Sequence, residues 1–283
     1  MNKLQKGILT GIAGALAGGF AYAAHGELNQ LEVTEYAIGK PERGGTPLRL
    51  LHLSDLHLRY HLGPRHLRLL ETVRRLRPDL ILLTGDAVDQ WGTAFPLDRF
   101  LQGLPAEVPK AAILGNHDYK SGIDIPTFRR LYAHYNGALL VNESVTYAFG
   151  NTRLVVTGLD DGLRGVPDLA RAVRELGATE HHLVLIHRPL QQEDVLRQLP
   201  GINAGRPPDG QLNVKYLLAG HTHGGQITFF GYAPYLPRMS GKYIKGWFNR
   251  QPPLLYVSRG FGASLVPLRY GAPPEITLFH YYP

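Results

Sequence analysis

The feature that most constrains this chain is a recurring arrangement in which short polar clusters directly follow apolar, strand-like runs. Five such clusters occur: Asp55-Leu56-His57, Gly85-Asp86-Ala87-Val88-Asp89, Gly115-Asn116-His117-Asp118, His187-Arg188-Pro189 and Gly220-His221-Thr222-His223-Gly224. The runs before them read as strands at 48–53, 80–83, 110–114, 182–186 and 214–219. In an open α/β sheet, ligands collect outside the carboxyl ends of the strands. Clusters spread from residue 55 to residue 223 would therefore converge if their strands lie side by side in such sheets.

Helical patterns fall between the strands. Pro64 opens one in which Leu67, Leu70, Val73 and Leu76 recur at spacing three, and Pro78 ends it. Further helices are expected at 97–104, 126–135, 168–176 and 191–199. Strands are expected near 138–141, 145–149, 153–157, 254–257 and 275–280. Alternating strands and helices followed by more strands predict a layered α/β sandwich. There is no internal repeat, and residues 46–283 read as one catalytic domain.

The clusters share one chemistry. Asp, Asn and His supply oxygen and imidazole donors, a set that suits divalent Mn, Fe, Zn or similar ions. Two groups of about four ligands sharing one carboxylate would hold two ions roughly 3.5–4 Å apart. Taken singly, each cluster has an ordinary explanation: a helix cap, a turn, or a hydrogen-bonded core histidine. The five in this order are not explained that way. The chain has no cysteine. This excludes disulfides, thiolate metal sites, a cysteine nucleophile and lipid attachment at an N-terminal cysteine.

The five clusters match the signature blocks of the calcineurin-like metallophosphoesterase superfamily, which residues 46–281 resemble as a whole. Gly220-His221-Thr222-His223-Gly224-Gly225-Gln226, with Leu255-Tyr256-Val257-Ser258-Arg259-Gly260 and Pro273-Pro274-Glu275-Ile276, is similar to the bacterial YkuE/YaeI-type phosphoesterases. The resemblance implies a four-layer α/β/β/α sandwich. It implies a metal-dependent phosphoesterase that attacks phosphodiester, phosphomonoester or pyrophosphate bonds with a hydroxide bridging two divalent metal ions. Asp55, His57 and His223 would hold the first metal, and Asn116, His187 and His221 the second, with Asp86 bridging. His117 would protonate the leaving group as general acid, and Asp89 would orient His117. Asp118 is left between a site role and a structural one. Two other readings stay open. One is a lipid-linked pyrophosphatase like the enzymes that cleave UDP-diacylglucosamine. The other is a non-catalytic metal-binding scaffold.

The remaining features bear on partners and location. Lysine plus arginine number 30 against 23 aspartate plus glutamate, a formal +7. Anionic partners follow: a phosphate-containing substrate, a phospholipid or nucleotide-linked lipid, or an acidic membrane surface. The basic excess is spread along the chain, so no specific nucleic-acid groove is expected. Residues 1–24 begin with Lys3 and Lys6 and continue as an uncharged stretch, which predicts a signal peptide or a membrane anchor. Both forms put the catalytic domain outside the cytoplasm. Residues 25–45 read as a polar connector with one edge strand at 31–36. Arg188, and Arg59, His61, Arg65 and His66 beyond the first cluster, are candidates for substrate contacts. Residues 229–250 mix aromatic and basic side chains, as a loop at a membrane interface or over a phospholipid would, or as a cap on the sheet.

Overall fold

A computed structural model describes residues 3–283. Met1 and Asn2, the start of the expected 1–24 segment, lie outside the described residues, as does the side chain of Lys6. Most of that segment forms helix α1, Lys3–Ala21, and its last three residues enter a π-helical turn, Tyr22–Gly26. Among the described residues, no helix is long and apolar enough to cross a membrane. Glycines at 11, 14, 18 and 19 dilute the apolar content of α1. The expectation of a spanning anchor is corrected to that extent.

Two six-stranded sheets follow. The first contains β1 (Glu32–Gly39), β2 (Leu48–Leu53), β3 (Leu80–Thr84), β4 (Lys110–Ile113), β5 (Gly137–Leu139) and β12 (Glu275–Tyr282), in the order β1-β12-β2-β3-β4-β5. The second contains β6 (Glu143–Phe149), β7 (Thr152–Gly158), β8 (Thr179–Leu185), β9 (Leu212–Ala219), β10 (Gly246–Phe248) and β11 (Leu254–Val257), in the order β10-β11-β9-β8-β7-β6. Strands β2 to β5 pair in parallel, as do β7, β8, β9 and β11. The carboxyl ends of the cluster-bearing strands in each sheet therefore emerge on one edge.

Alternation along the strands builds the layers. Leu51 and Leu53 of β2, with Ile81 and Leu83 of β3, face the helices α2 (Pro64–Leu76), α3 (Ala94–Gly103) and α5 (Ile125–His134). Leu50, Leu80 and Leu82 point the other way and pack against Leu183, Leu185 and Leu218 of the second sheet. Val184, Leu217 and Ala219 then face Leu169 of α6 (Leu169–Ala172) and Val195 of α7 (Gln192–Ala204). Three apolar interfaces separate four layers, which is the expected α/β/β/α sandwich. Strands buried on both faces read as largely apolar runs, which is why 80–83, and 48–53 despite Arg49 and His52, stood out in the sequence.

Several expectations shift. Leu67 is exposed and Leu69 is buried, because a helix turns every 3.6 residues and not every three. The expected 168–176 helix is only Leu169–Ala172, and α7 runs on through Pro200. The edge strand expected at 31–36 in the connector does form, as β1, and runs three residues further, pairing with β12 from Glu32↔Glu275 to Gly39↔Tyr282. The buried Glu27 carboxylate also accepts hydrogen bonds from the Gly271 and Ala272 amides at 2.9 and 2.6 Å.

Two histidines are buried neutral inside this framework. His182 Nε2 bonds the Thr157 hydroxyl at 2.7 Å, and His52 Nε2 bonds the Thr84 hydroxyl at 2.8 Å. Burial lowers His182 from 6.5 to about 3 and His52 to about 4. The folded state resists protonation while the unfolded chain accepts it near 6.5. Their stability contribution is therefore complete above that pH and is lost as pH falls below it. Between pH 6.5 and 5 the loss is about 2 kcal/mol per group. A thermal-denaturation series should show the midpoint falling over that interval, with a shallower fall in His182→Gln.

Candidate metal centre

Each cluster leaves its strand through a turn that an L-residue adopts at a cost. Asp55, His57, Asp86, His221 and His223 have φ of 52°, 48°, 51°, 71° and 53°. Left-handed backbone at side chains other than glycine is uncommon and concentrates where function demands it. Gly85 has φ 88°, and a Cβ there would lie 2.6 Å from the Gly115 amide nitrogen and 2.8 Å from His187 Nδ1. Only glycine lets these clusters approach so closely. The third cluster opens a short helix that the strand pattern did not foretell, α4 (Asn116–Lys120).

The structure brings all nine candidate residues together, and all nine are buried. Asp55, His57 and His223 form one group of donor atoms, and Asp86, His187 and His221 form a second. His223 Nε2 lies 3.6 Å from Asp55 Oδ1, and His57 Nε2 lies 3.7 Å from Asp86 Oδ2. His187 Nε2 lies 3.3 Å from the same Asp86 oxygen, so Asp86 stands between the groups. The other Asp86 oxygen accepts from the His117 amide at 2.7 Å, and Asp55 accepts from the His221 amide at 2.9 Å. Backbone donors thus hold both carboxylates in place.

The donor chemistry fits divalent cations. His187 donates from Nδ1 to the Thr84 carbonyl at 2.8 Å, which leaves Nε2 facing inward. That Nε2 faces the Asp86 carboxylate, and Asn116 Oδ1 is buried without a hydrogen-bond partner. A buried orphan acceptor is rare and asks for an ion. Burial lowers His221 and His223 well below their ordinary value, so both present the neutral imidazole that binds metal. Burial also disfavours charge on His187, but Asp86 outweighs it and pushes His187 up to about 10. That proton sits where a cation would, and metal binding would displace it.

His57, Asp89 and His117 form a third group. Asp89 Oδ2 lies 3.1 Å from His57 Nδ1 and 3.7 Å from His117 Nδ1. Its nearer partner is the expected ligand His57, so Asp89 braces that ring as well as facing His117. The Gln90 amide donates to His117 Nδ1 at 3.3 Å, which places the proton of the neutral ring on Nε2, 3.4 Å from the Ser264 hydroxyl. Asp118 is structural: it accepts from the Gly115 and Val88 amides, both at 2.8 Å, and ties the second cluster to the third.

A family profile for calcineurin-like phosphoesterase matches residues 48–225. The chain belongs to the calcineurin-like metallophosphoesterase family. It is a metal-dependent phosphoric ester hydrolase, and enzymes of this family use a divalent metal centre. The chain is 30% identical to the uncharacterized metallophosphoesterase YkuE of Bacillus subtilis, over 99% of this chain and 98% of that one. It is 28% identical to the phosphodiesterase YaeI of Escherichia coli, over 93% of each. It is also 28% identical to a bovine transmembrane protein with a metallophosphoesterase domain, over 81% of this chain and 52% of that protein.

In this metallophosphoesterase a cavity of about 540 Å³ opens over Asp86, Asn116, His117, His221 and His223. Its walls come in part from the aromatic and basic 229–250 segment, through Tyr235 and Arg238, and otherwise from segments with no signal in the sequence. Lys120, Arg164 and Arg238 supply charge, and Leu163, Tyr235, Leu265 and Val266 supply apolar surface. Arg188 also reaches the cavity, held by the buried Asp161 at 2.6 Å, with Nη1 3.1 Å from His221 Nε2. Arg59, His61, Arg65 and His66 do not line it. Arg59 instead lies 3.4 Å from Asp89. Arg65 stacks on Phe261, and His66 accepts from the Gly63 amide at the start of α2.

Gln226 is the one missed residue with a signal, since it ends the His-rich block. Its side chain bonds the Ser264 amide and carbonyl, both at 2.9 Å, and so fixes the loop opposite His117. The close approach at Gly85 yields a prediction. Gly85→Ala should cost roughly 2 kcal/mol or more and abolish tight metal retention. Elemental analysis of the folded fraction beside a denaturation curve would check both.

Proposed function

We propose that the chain hydrolyses phosphodiester bonds, and phosphomonoester or pyrophosphate bonds where they fit, at a centre of two divalent ions. Asp55, His57 and His223 would hold one ion; Asn116, His187 and His221 the other; Asp86 both. The observation that carries the reading is the pair of donor groups meeting at Asp86, with the buried Asn116 Oδ1 left without a partner. Bound there, the ions would lower the pKa of water and withdraw charge from the phosphoryl oxygens.

The protein side chains supply the rest. His117 lines the cavity and, once protonated on Nδ1 toward Asp89 3.7 Å away, would pass its Nε2 proton to the departing oxygen and return to the neutral ring. Arg188, held rigid by Asp161, would orient phosphate oxygens, and Lys120 and Arg164 would draw the anion inward. Leu163, Tyr235, Leu265 and Val266 support a substrate with an apolar substituent beside its phosphate, the lipid-linked reading. We place the 46–283 catalytic domain at a membrane face or outside the cytoplasm, with residues 1–24 as its targeting segment. A cytoplasmic signal from C-terminal reporter fusions would remove that placement.

Chelation should abolish activity, and Mn, Fe or Zn should restore it. The same treatment should lower thermal stability, because cations stabilise the state that binds them. Activity that survives complete metal removal would sink the proposal. His117→Ala should slow an alkyl phosphodiester by roughly 10²–10⁴-fold and a nitrophenyl ester much less, since a nitrophenolate leaves without a proton. Metal content should not change. Equal losses on both esters would remove the acid role from His117.

A further inference from the structure

The tip of the 229–232 turn is built against its own stability. Phe229 and Tyr232 exchange backbone hydrogen bonds, both at 2.9 Å, which leaves Phe230 and Gly231 as a two-residue hairpin loop. Phe230 has φ 51° and a relative exposure of 111%, and Gly231 has φ 83°. Asn or Gly is the ordinary choice for the first position of such a turn. A bulky aromatic there bears backbone strain and exposes its whole ring to water. Neither serves the fold.

The tip is not isolated. Phe229 and Tyr232 are 51% and 70% exposed. Phe229 lies 5.3 Å from Tyr270, and Tyr270 lies 6.5 Å from Tyr22, just beyond the end of α1. Ile8, Leu9 and Ile12 of α1 are exposed as well. On its other side the patch meets the cavity mouth, through the exposed Tyr235, Leu265 and Val266. Residues 226–271 contain no aspartate or glutamate, while Arg238, Lys242, Lys245 and Arg250 are exposed there. Lys245 reaches the Gly271 carbonyl at 3.4 Å, next to Tyr270. An apolar patch edged by cations, with the neighbouring Glu27 carboxylate buried and bonded to the Gly271 and Ala272 amides, complements an anionic bilayer surface: rings enter the acyl boundary and lysines meet headgroups.

We infer that the Phe229–Tyr232 hairpin docks this chain onto anionic phospholipid bilayers, with α1 on the same surface and the cavity mouth beside it. The surface is a partner site of its own. It fits the apolar-substituent reading above but does not need it, because docking requires neither metal nor turnover.

The full-length protein would be sedimented with vesicles of phosphatidylglycerol and phosphatidylcholine, and with phosphatidylcholine alone. Binding should favour the anionic vesicles and weaken with salt. Phe230→Gly suits the left-handed turn, so its thermal midpoint should hold or rise. Its vesicle affinity should fall tenfold or more, with hydrolysis of a soluble nitrophenyl phosphodiester unchanged. Phe230→Trp should be quenched by brominated lipid above the Trp91 and Trp247 background. Unchanged affinity in Phe230→Gly, or no added quenching in Phe230→Trp, would overturn the inference. So would a parent dimer in solution that Phe230→Gly dissolves while vesicles bind neither form. Loss of hydrolysis in the parent with vesicle binding intact would count against the proposed function alone.

Discussion

Asp86 is the constraint on which the rest of this structure depends. Its carboxylate is buried, and burial alone would raise its pKa. His187, then His57 and His117, hold it well below the usual carboxylate range instead. Removing a charge from water is costly unless opposite charge and hydrogen bonds surround it. The chain meets that demand with imidazoles from clusters far apart in sequence and with an amide from the cluster at Asn116. The same buried carboxylate, with the unpaired Asn116 oxygen lining the same cavity, is what attracts cations. A destabilising arrangement in the protein alone becomes the functional one.

Such a site needs a rigid frame. Five of its residues sit in left-handed backbone, and that strain persists only where neighbours over-determine it. The three apolar interfaces of the sandwich provide the rigidity. They clamp the strands, so the turns at the carboxyl ends have little freedom to relax. Glycines at 85 and 115 then remove the two Cβ atoms that would keep the second and third clusters apart.

Much of this was legible beforehand. Strands buried on both faces announce themselves as apolar runs, so the β2 and β3 positions were read to within a residue. The polar clusters after them were equally plain, and the nine candidate residues gather at one buried site, five of them lining the cavity. The cavity walls were not legible. Leu163, Arg164, Ser264 and Leu265 lie in loops with no periodicity, and their relation to His117 arises only when two sheets stack. Arg65 and His66 show the opposite error. Closeness to Asp55 along the chain suggested a substrate role, yet the start of α2 turns them toward Phe261 and Gly63. The partner of Asp89 also shifted. Spacing along the chain does not tell which of two imidazoles stands closer to it, and His57 does.

The sequence by itself determined the layered α/β class and the donor chemistry of the five clusters, while the four-layer order and the expected ligand set came from the family resemblance that those clusters carry. Side-chain periodicity and donor atoms are local properties. Only the tertiary structure decided which acceptors are left unpaired, which walls the substrate meets, and that Phe230 stands alone at a strained tip. Those depend on distances between segments far apart in the chain, which are set when the sheets pack and burial selects one arrangement.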